Sequence, residues 1–164
     1  SKDVDGFTKE NVYNLYLNRK SILPCTVKGI IKLLDYYNIE LDSKDVVIVG
    51  RGNIVGKPLA MALENRNATV SLLHSKTKDL TKYTKCADIV VMACGVAKLL
   101  KADMVKQGAI VIDVGISRDN NKVLGDIDFD GIKDVASFVT PNPGGVGPMT
   151  VAMIIDNLIE MSEV

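Results

Sequence analysis

Val46-Val47-Ile48-Val49-Gly50-Arg51-Gly52-Asn53-Ile54-Val55-Gly56 sets four consecutive apolar β-branched residues directly against three closely spaced glycines. An unbroken run of that kind reads as a strand buried on both faces, the situation of a parallel sheet, rather than as a half-exposed strand. The glycines then lead into a helix-like stretch, Pro58 to Asn65, so strand, turn and helix follow without a linker. The rhythm recurs. Ala68 to Leu73, Ile89 to Ala93, Ala109 to Val114 and Phe138 to Thr140 are further strand candidates, and Leu80 to Cys86 and Ala102 to Gln107 are helix-like. Such alternation predicts an α/β, Rossmann-like, doubly wound fold whose mainly parallel sheet carries helices on both faces. Between Ile116 and Leu124 the cluster Arg118-Asp119-Asn120-Asn121 predicts a tight turn and a small hairpin.

Working outward, Thr8 is positioned to cap a helix running to about Arg19. Thr26 is positioned to cap a second, with Val27, Ile30, Ile31 and Leu34 at helical spacing. The last segment, Val151 to Met161, predicts a helix with Val151, Ile154, Ile155 and Leu158 on one stripe and Pro148 near its start.

Bulk properties narrow the classes. With 164 residues, 47% hydrophobic and 24% charged, the chain suits one globular domain with one core. Lys plus Arg and Asp plus Glu both number 20, so no global field attracts a nucleic acid. The apolar runs are far shorter than a membrane span and no charged-then-apolar leader is visible. Three cysteines without a Cys-x-x-Cys spacing, and a single histidine, indicate neither a disulfide framework nor a metal site, which points to a reducing, cytoplasmic setting. The chain opens on Ser1 and enters a motif almost at once, which reads as a piece of a longer protein.

Three constellations bear on chemistry. Gly50-x-Gly52-x-x-x-Gly56, with Ile54 and Val55 inside it, would bring backbone amides and a helix dipole to where a pyrophosphate could sit, although a purely structural turn has the same pattern. The second strand ends His74-Ser75-Lys76-Thr77. An acid at that point would accept bonds from a ribose hydroxyl; a cation or hydroxyl suits a phosphate. With Arg51 inside the glycine loop, NADP is expected over NAD, the alternative being that Arg51 and Lys76 are ordinary solvated charges. Cys94-Gly95 and Gly115-Ile116 end the third and fourth strands, at the edge where open α/β sheets bind ligands, and their small residues leave room for a nicotinamide and its ribose. Last, Pro143-Gly144-Gly145-Val146-Gly147-Pro148-Met149-Thr150 packs three glycines and two prolines into a loop suited to a flat ligand, with Thr150 as a donor at its end.

Taken with Asp5-Gly6-Phe7, the glycine loop and the Pro-Gly-Gly-Val-Gly-Pro-Met-Thr string resemble the methylenetetrahydrofolate dehydrogenase/cyclohydrolase family, from Asp3 to the last helix. The resemblance implies that residues 1–164 form the NAD(P)-binding domain of a bifunctional enzyme. In that family hydride passes from methylenetetrahydrofolate to NADP, and the methenyl product is then hydrolysed to formyltetrahydrofolate. It further implies that Asp5 pairs with the pterin ring, that Pro143, Gly144 and Gly145 lie on the folate side, and that Arg51 and the strand-end Ser75 contact the adenosine-ribose phosphate. The catalytic lysine and tyrosine belong to a missing N-terminal domain, so no catalytic residue is expected in this chain. Residues 1–25 and 148–164 are expected to face that domain, and the whole protein is expected to form a homodimer.

Three details qualify the resemblance. Many relatives have serine where Gly52 stands, so one hydroxyl donor to the phosphate is lost. Tyr16-x-x-x-Lys20 imitates the family's catalytic pair by coincidence, and His74 reads as a neighbour of the adenine side rather than a base. Pro24-Cys25-Thr26 matches a segment near the family's cleft, where Cys25, without a basic neighbour, reads as packing. Two other functions stay open: a nucleotide-binding or regulatory module without catalysis of its own, and another nicotinamide dehydrogenase, which the proline-rich loop disfavours. Asp5-Gly6 read alone would be a turn.

Overall fold

Seven strands and six helices form in the computed structural model, which describes residues 2–119 and 122–162. The strands are β1 (Asp45–Val49), β2 (Thr69–Leu73), β3 (Ile89–Met92), β4 (Ile110–Asp113), β5 (Ser117–Asp119), β6 (Lys122–Leu124) and β7 (Phe138–Val139). The helices are α1 (Lys9–Tyr16), α2 (Cys25–Tyr36), α3 (Gly56–Glu64), α4 (Thr81–Thr84), α5 (Phe129–Ile132) and α6 (Val146–Ser162). Five strands pair in parallel in the order β2-β1-β3-β4-β7, while β5 and β6 form a separate antiparallel hairpin. The expected α/β, Rossmann-like architecture and its hairpin are present; Asn120 and Asn121 of the expected turn lie outside the described residues.

The period of two along each strand explains the layers. Val46, Ile48, Ile89, Val91 and Ile112 point to one side, where they meet Val27, Ile30 and Leu34 of α2 and Leu59 and Leu63 of α3. Val47, Val49, Val90, Met92 and Val111 point to the other, against Leu100, Val105, Ile127 and Ile132. Each face is therefore apolar, which is why the sequence shows unbroken rather than alternating runs. At about 1.5–3 kcal/mol per fully buried aliphatic side chain, these two layers carry most of the stabilisation.

Several boundaries differ from the sequence reading, each for a local reason. Thr8 does cap α1 by accepting from the Asn11 N–H at 3.3 Å, but the helix ends at Tyr16 because Asn18 takes a left-handed conformation at φ 52°. Thr26 is not a cap: Pro24 holds that position with its fixed φ, and Thr26 lies inside the first turn of α2. The stretch at 102–107 forms only a 3-10 turn, Ala102–Met104, and the one at 80–86 only the four residues of α4. The final helix starts five residues early, so Val146, Gly147 and Pro148 form its first turn instead of a loop. Proline is tolerated there because the first-turn amides have no intrahelical partner.

The buried side of α6 is given by Val146, Met153 and Asn157, and it packs along α2, where Gly29 admits Met149 closely. Its other side bares Val151 (64% exposed), Ile155 (60%), Leu158 and Ile159.

Candidate functional site

Because β1 leads leftward to β2 and the chain then crosses back to β3, the sheet has its switch point between β1 and β3, and the strands' carboxyl ends open a crevice there. The glycine loop lies at that point. Gly50 has φ 124°, donates its N–H to the Leu73 carbonyl at 2.9 Å, and has no room for a side chain, since a Cβ would overlap the Ala93 carbonyl. A Cβ on Gly56 would overlap the Gly50 carbonyl, so the loop closes on itself as α3 begins. Gly52 differs: nothing lies within 4 Å of where its Cβ would be. The N-terminus of α3 has no side-chain cap, because Val55 holds that position, and its first turn carries no acidic residue to offset the positive dipole end. Val55 itself packs against the core, whereas Ile54 is exposed and shares an apolar hollow of about 630 Å³ with Gly6, Phe7, Val12 and Tyr16.

At the end of β2 the chain folds into a small ring. His74 N–H donates to Thr77 Oγ1 at 3.1 Å, and the His74 Nδ1 accepts from Lys76 N–H at 3.2 Å. This leaves Ser75 and Lys76 exposed on the crevice edge and removes one histidine nitrogen from proton transfer. The nearest following acid, Asp79, accepts from Lys82 N–H at 3.3 Å. Arg51 is exposed and makes no ion pair among the described residues.

At the ends of β3 and β4 the main chain is held by two residues that sequence reasoning missed, Asp113 of β4 and Asp126 just past β6. Asp126 Oδ2 accepts the N–H groups of Cys94 at 2.8 Å and Gly95 at 2.9 Å, and Asp113 Oδ1 accepts those of Asp126 at 3.0 Å and Gly115 at 3.2 Å. The signal available was a single acid inside or beside apolar runs, Ile110-Val111-Ile112-Asp113-Val114 and Gly125-Asp126-Ile127, where solvation alone would not place one. Burial, reinforced by the nearby Asp126 charge, raises the Asp113 pKa despite the amides that bond it. Burial and Asp126 likewise push the Cys94 thiol up to about 11, which makes it inert.

The Asp113 shift has a sign that can be checked. A folded pKa above the unfolded value of about 4 means that the native chain binds more protons than the unfolded one. Stability then falls as pH rises through that window. In Asp113→Asn the penalty is absent, so its melting temperature relative to the parent is expected to rise between acidic and neutral pH. A difference that stays constant or shrinks across parallel melts refutes the assignment.

The proline-rich segment borders a cleft of about 430 Å³ that also includes Thr26, Asp113, Ile116 and Val123. The structure thus brings Pro143, Gly144, Gly145, Ile116 and Thr150 into one space, although folate and cofactor roles were expected to divide them. The Asn142–Pro143 peptide is cis. Thr150 Oγ1 is within 3.1 Å of both Thr26 Oγ1 and the Val146 carbonyl, which links α6 to α2 across the cleft.

Asp5 lies at the start of α2, with its Oδ1 4.0 Å from Cys25 Sγ. Asp5 itself is exposed, and the chain around it is anchored at Asp3, Val4 and Gly6. Asp3 accepts from Phe7 N–H (3.2 Å), Thr8 N–H (2.7 Å) and Asn11 Nδ2 (2.8 Å); although slight burial works the other way, these bonds hold its carboxyl down to about 2. Gly6 presses against the Ile22–Pro24 backbone, where a Cβ would not fit. Asn157, fully buried, donates from Nδ2 to the Val4 carbonyl at 2.8 Å and the Leu23 carbonyl at 3.0 Å, and its Oδ1 accepts from Lys28 Nζ at 2.8 Å. Asn157 too was missed, because its partners are remote in sequence. Cys25 is buried, and burial together with the Asp5 charge raises its pKa; Lys28, one turn on, pulls the other way and is outweighed. Tyr16 and Lys20 do not share a site: Tyr16 lies on the apolar hollow, and Lys20 lies beyond the end of α1 beside Asp3 and Glu10.

Among the described residues no helix is long and apolar enough to cross a membrane. Residues 24–164 match the family model for the tetrahydrofolate dehydrogenase/cyclohydrolase NAD(P)-binding domain. The chain is 52% identical over 163 residues to the bifunctional protein FolD of Listeria innocua, covering 99% of this chain and 57% of that protein. The bifunctional FolD methylenetetrahydrofolate dehydrogenase/cyclohydrolase of Campylobacter jejuni superposes with a TM-score of 0.98 at 51% identity, over 99% of this chain and 58% of that one. The methylenetetrahydrofolate dehydrogenase-cyclohydrolase of Trypanosoma brucei, solved with NADP and an inhibitor, gives 0.92 at 40% identity, over 98% and 58%. The chain spans somewhat more than half the length of these relatives, and it belongs to the tetrahydrofolate dehydrogenase/cyclohydrolase family as its NAD(P)-binding domain.

Proposed function

We propose that this domain seats NADP for a methylenetetrahydrofolate dehydrogenase/cyclohydrolase, and that the remaining length of its relatives corresponds to the part that completes the catalytic cleft. The observation that carries the reading is the carboxyl edge of the sheet, where a bare glycine loop, an uncapped helix and a strand end without a free acid meet. These features fit a pyrophosphate at Gly50, Arg51, Gly52, Ile54, Val55 and Gly56, and a ribose phosphate held by Arg51, Ser75 and Lys76 with His74 beside the adenine. Cys94, Gly95, Gly115, Ile116 and Thr150 would border the nicotinamide half. Bound there, NADP would accept hydride from methylenetetrahydrofolate.

Asp5, with Pro143, Gly144 and Gly145, would hold the folate, a carboxylate being suited to the adjacent donors of an amino-pyrimidine edge. Residues 1–25 and 148–164 would face the completing domain, which agrees with the bare side chains of α6 and with exposed Val12, Tyr13 and Tyr16 on α1. Each apolar side chain covered there would contribute up to about 1.5–3 kcal/mol. A homodimer of the whole protein and a cytoplasmic setting belong to the same proposal.

The test is turnover. The chain alone is expected to bind NADP and neither to oxidise methylenetetrahydrofolate nor to hydrolyse the methenyl compound, because positioning both reactants is what lowers the barrier. Joined to the N-terminal part of a relative such as the Listeria protein, it is expected to turn over. Sustained activity of the chain alone that is lost with Tyr16 and Lys20 would place the catalytic pair here and overturn the proposal.

A further inference from the structure

Asp113 and Asp126 are 2% and 0% exposed, and no cation pairs with either among the described residues. Burying a carboxylate without a counter-charge is costly, so such groups persist where their hydrogen bonds hold something in place. What Asp126 holds is the main chain just past β3, through the two bonds to Cys94 and Gly95. Asp113 in turn bonds the Asp126 N–H, which fixes the backbone that carries this carboxylate. Space is closed on both sides, since a Cβ on Gly115 would fall on the Asp126 carboxyl and one on Gly125 on that of Asp113. The hairpin adds a grip from the opposite direction: Ser117 Oγ donates to the Gly95 carbonyl at 3.0 Å.

Gly95 needs these grips. It has φ 69°, and nothing lies within 4 Å of where its Cβ would be, so no packing fixes it. A glycine with that freedom would otherwise be ordered only on binding, at a cost in affinity. We infer that Asp126, oriented by Asp113, is a positioning residue that holds the Cys94–Gly95 main chain in the shape that receives the nicotinamide half of the dinucleotide. This rests on the cofactor placement proposed above. Among the described residues no hydrogen bond links the carboxyl pair to Arg51, Ser75 or Lys76, so the adenosine-phosphate half of the ligand, as placed above, would be held independently.

The experiment compares NADP with adenosine 2′,5′-bisphosphate, which lacks the nicotinamide half, by calorimetric titration of the 164-residue chain. Asp126→Ala is expected to weaken NADP about tenfold or more while changing the bisphosphate by less than about twofold. Asp126→Asn, whose amide oxygen can still accept both N–H groups, is expected to stay close to the parent. If the alanine variant does not fold, Gly125→Ala gives the comparison by displacing the Asp113 carboxylate that orients Asp126. A parent chain that binds neither ligand overturns the cofactor placement and this inference with it. Equal weakening of both ligands in a folded variant, or of neither, overturns this inference alone.

Discussion

Arg51→Ala is expected to weaken NADP binding roughly tenfold to a hundredfold, the equivalent of a lost charge-assisted contact of about 1.5–3 kcal/mol, and to leave NAD almost unchanged. The guanidinium is exposed and makes no ion pair among the described residues, so its removal costs no packing and the melting temperature should hold. Only the contact to the extra phosphate is then removed. Titration of both dinucleotides at fixed salt measures it, and the parent should prefer NADP. Higher salt should narrow that preference, because an exposed charge pair is screened. Equal parent affinities, or a parallel loss of both ligands in the variant, would refute the assignment of Arg51 and of the strand end at Ser75-Lys76.

The second large effect is on stability. Asn157→Ala is expected to destabilise the chain by about 2–4 kcal/mol, because the side chain satisfies two backbone carbonyls and one ammonium away from water, and an orphaned buried polar group costs about 1–3 kcal/mol. Residues 2–7 should loosen first, since the Val4 carbonyl loses its anchor while Asp3 keeps its own bonds. Denaturant midpoints give the first quantity, and limited proteolysis near Asp5 gives the second. A loss below about 1 kcal/mol with an unchanged cleavage pattern would mean that solvent replaces the amide at little cost.

Much of the architecture could be read from the sequence because parallel strands buried on both faces need unbroken β-branched runs, and β1, β3 and β4 have them. The glycine loop was readable for a related reason, since only glycine fits where Gly50 and Gly56 meet neighbouring carbonyls. Boundaries set by single backbone choices were harder. Nothing in the apolar spacing after Thr8 marks the left-handed Asn18, and the glycines and prolines of 143–148 suggested a loop where the helix already begins at Val146. The carboxyl pair, marked only as single acids beside apolar runs, and Asn157 were hard to read for another reason. Apart from the Gly115 N–H beside Asp113, their partners lie from 13 to 153 residues away, and no local pattern records a bond of that reach.

Within the glycine loop, two positions are fixed by the fold and two are not. Gly50 and Gly56 touch backbone on every relevant side, whereas Arg51 is solvated and Gly52 borders open space. A hydroxyl or a longer donor could therefore be installed at Gly52, or the charge at Arg51 exchanged, without moving a core atom. On the cofactor placement proposed above, dinucleotide preference in this domain is free to drift or be engineered on a timescale of its own, because Arg51 and Gly52 are not residues on which folding depends.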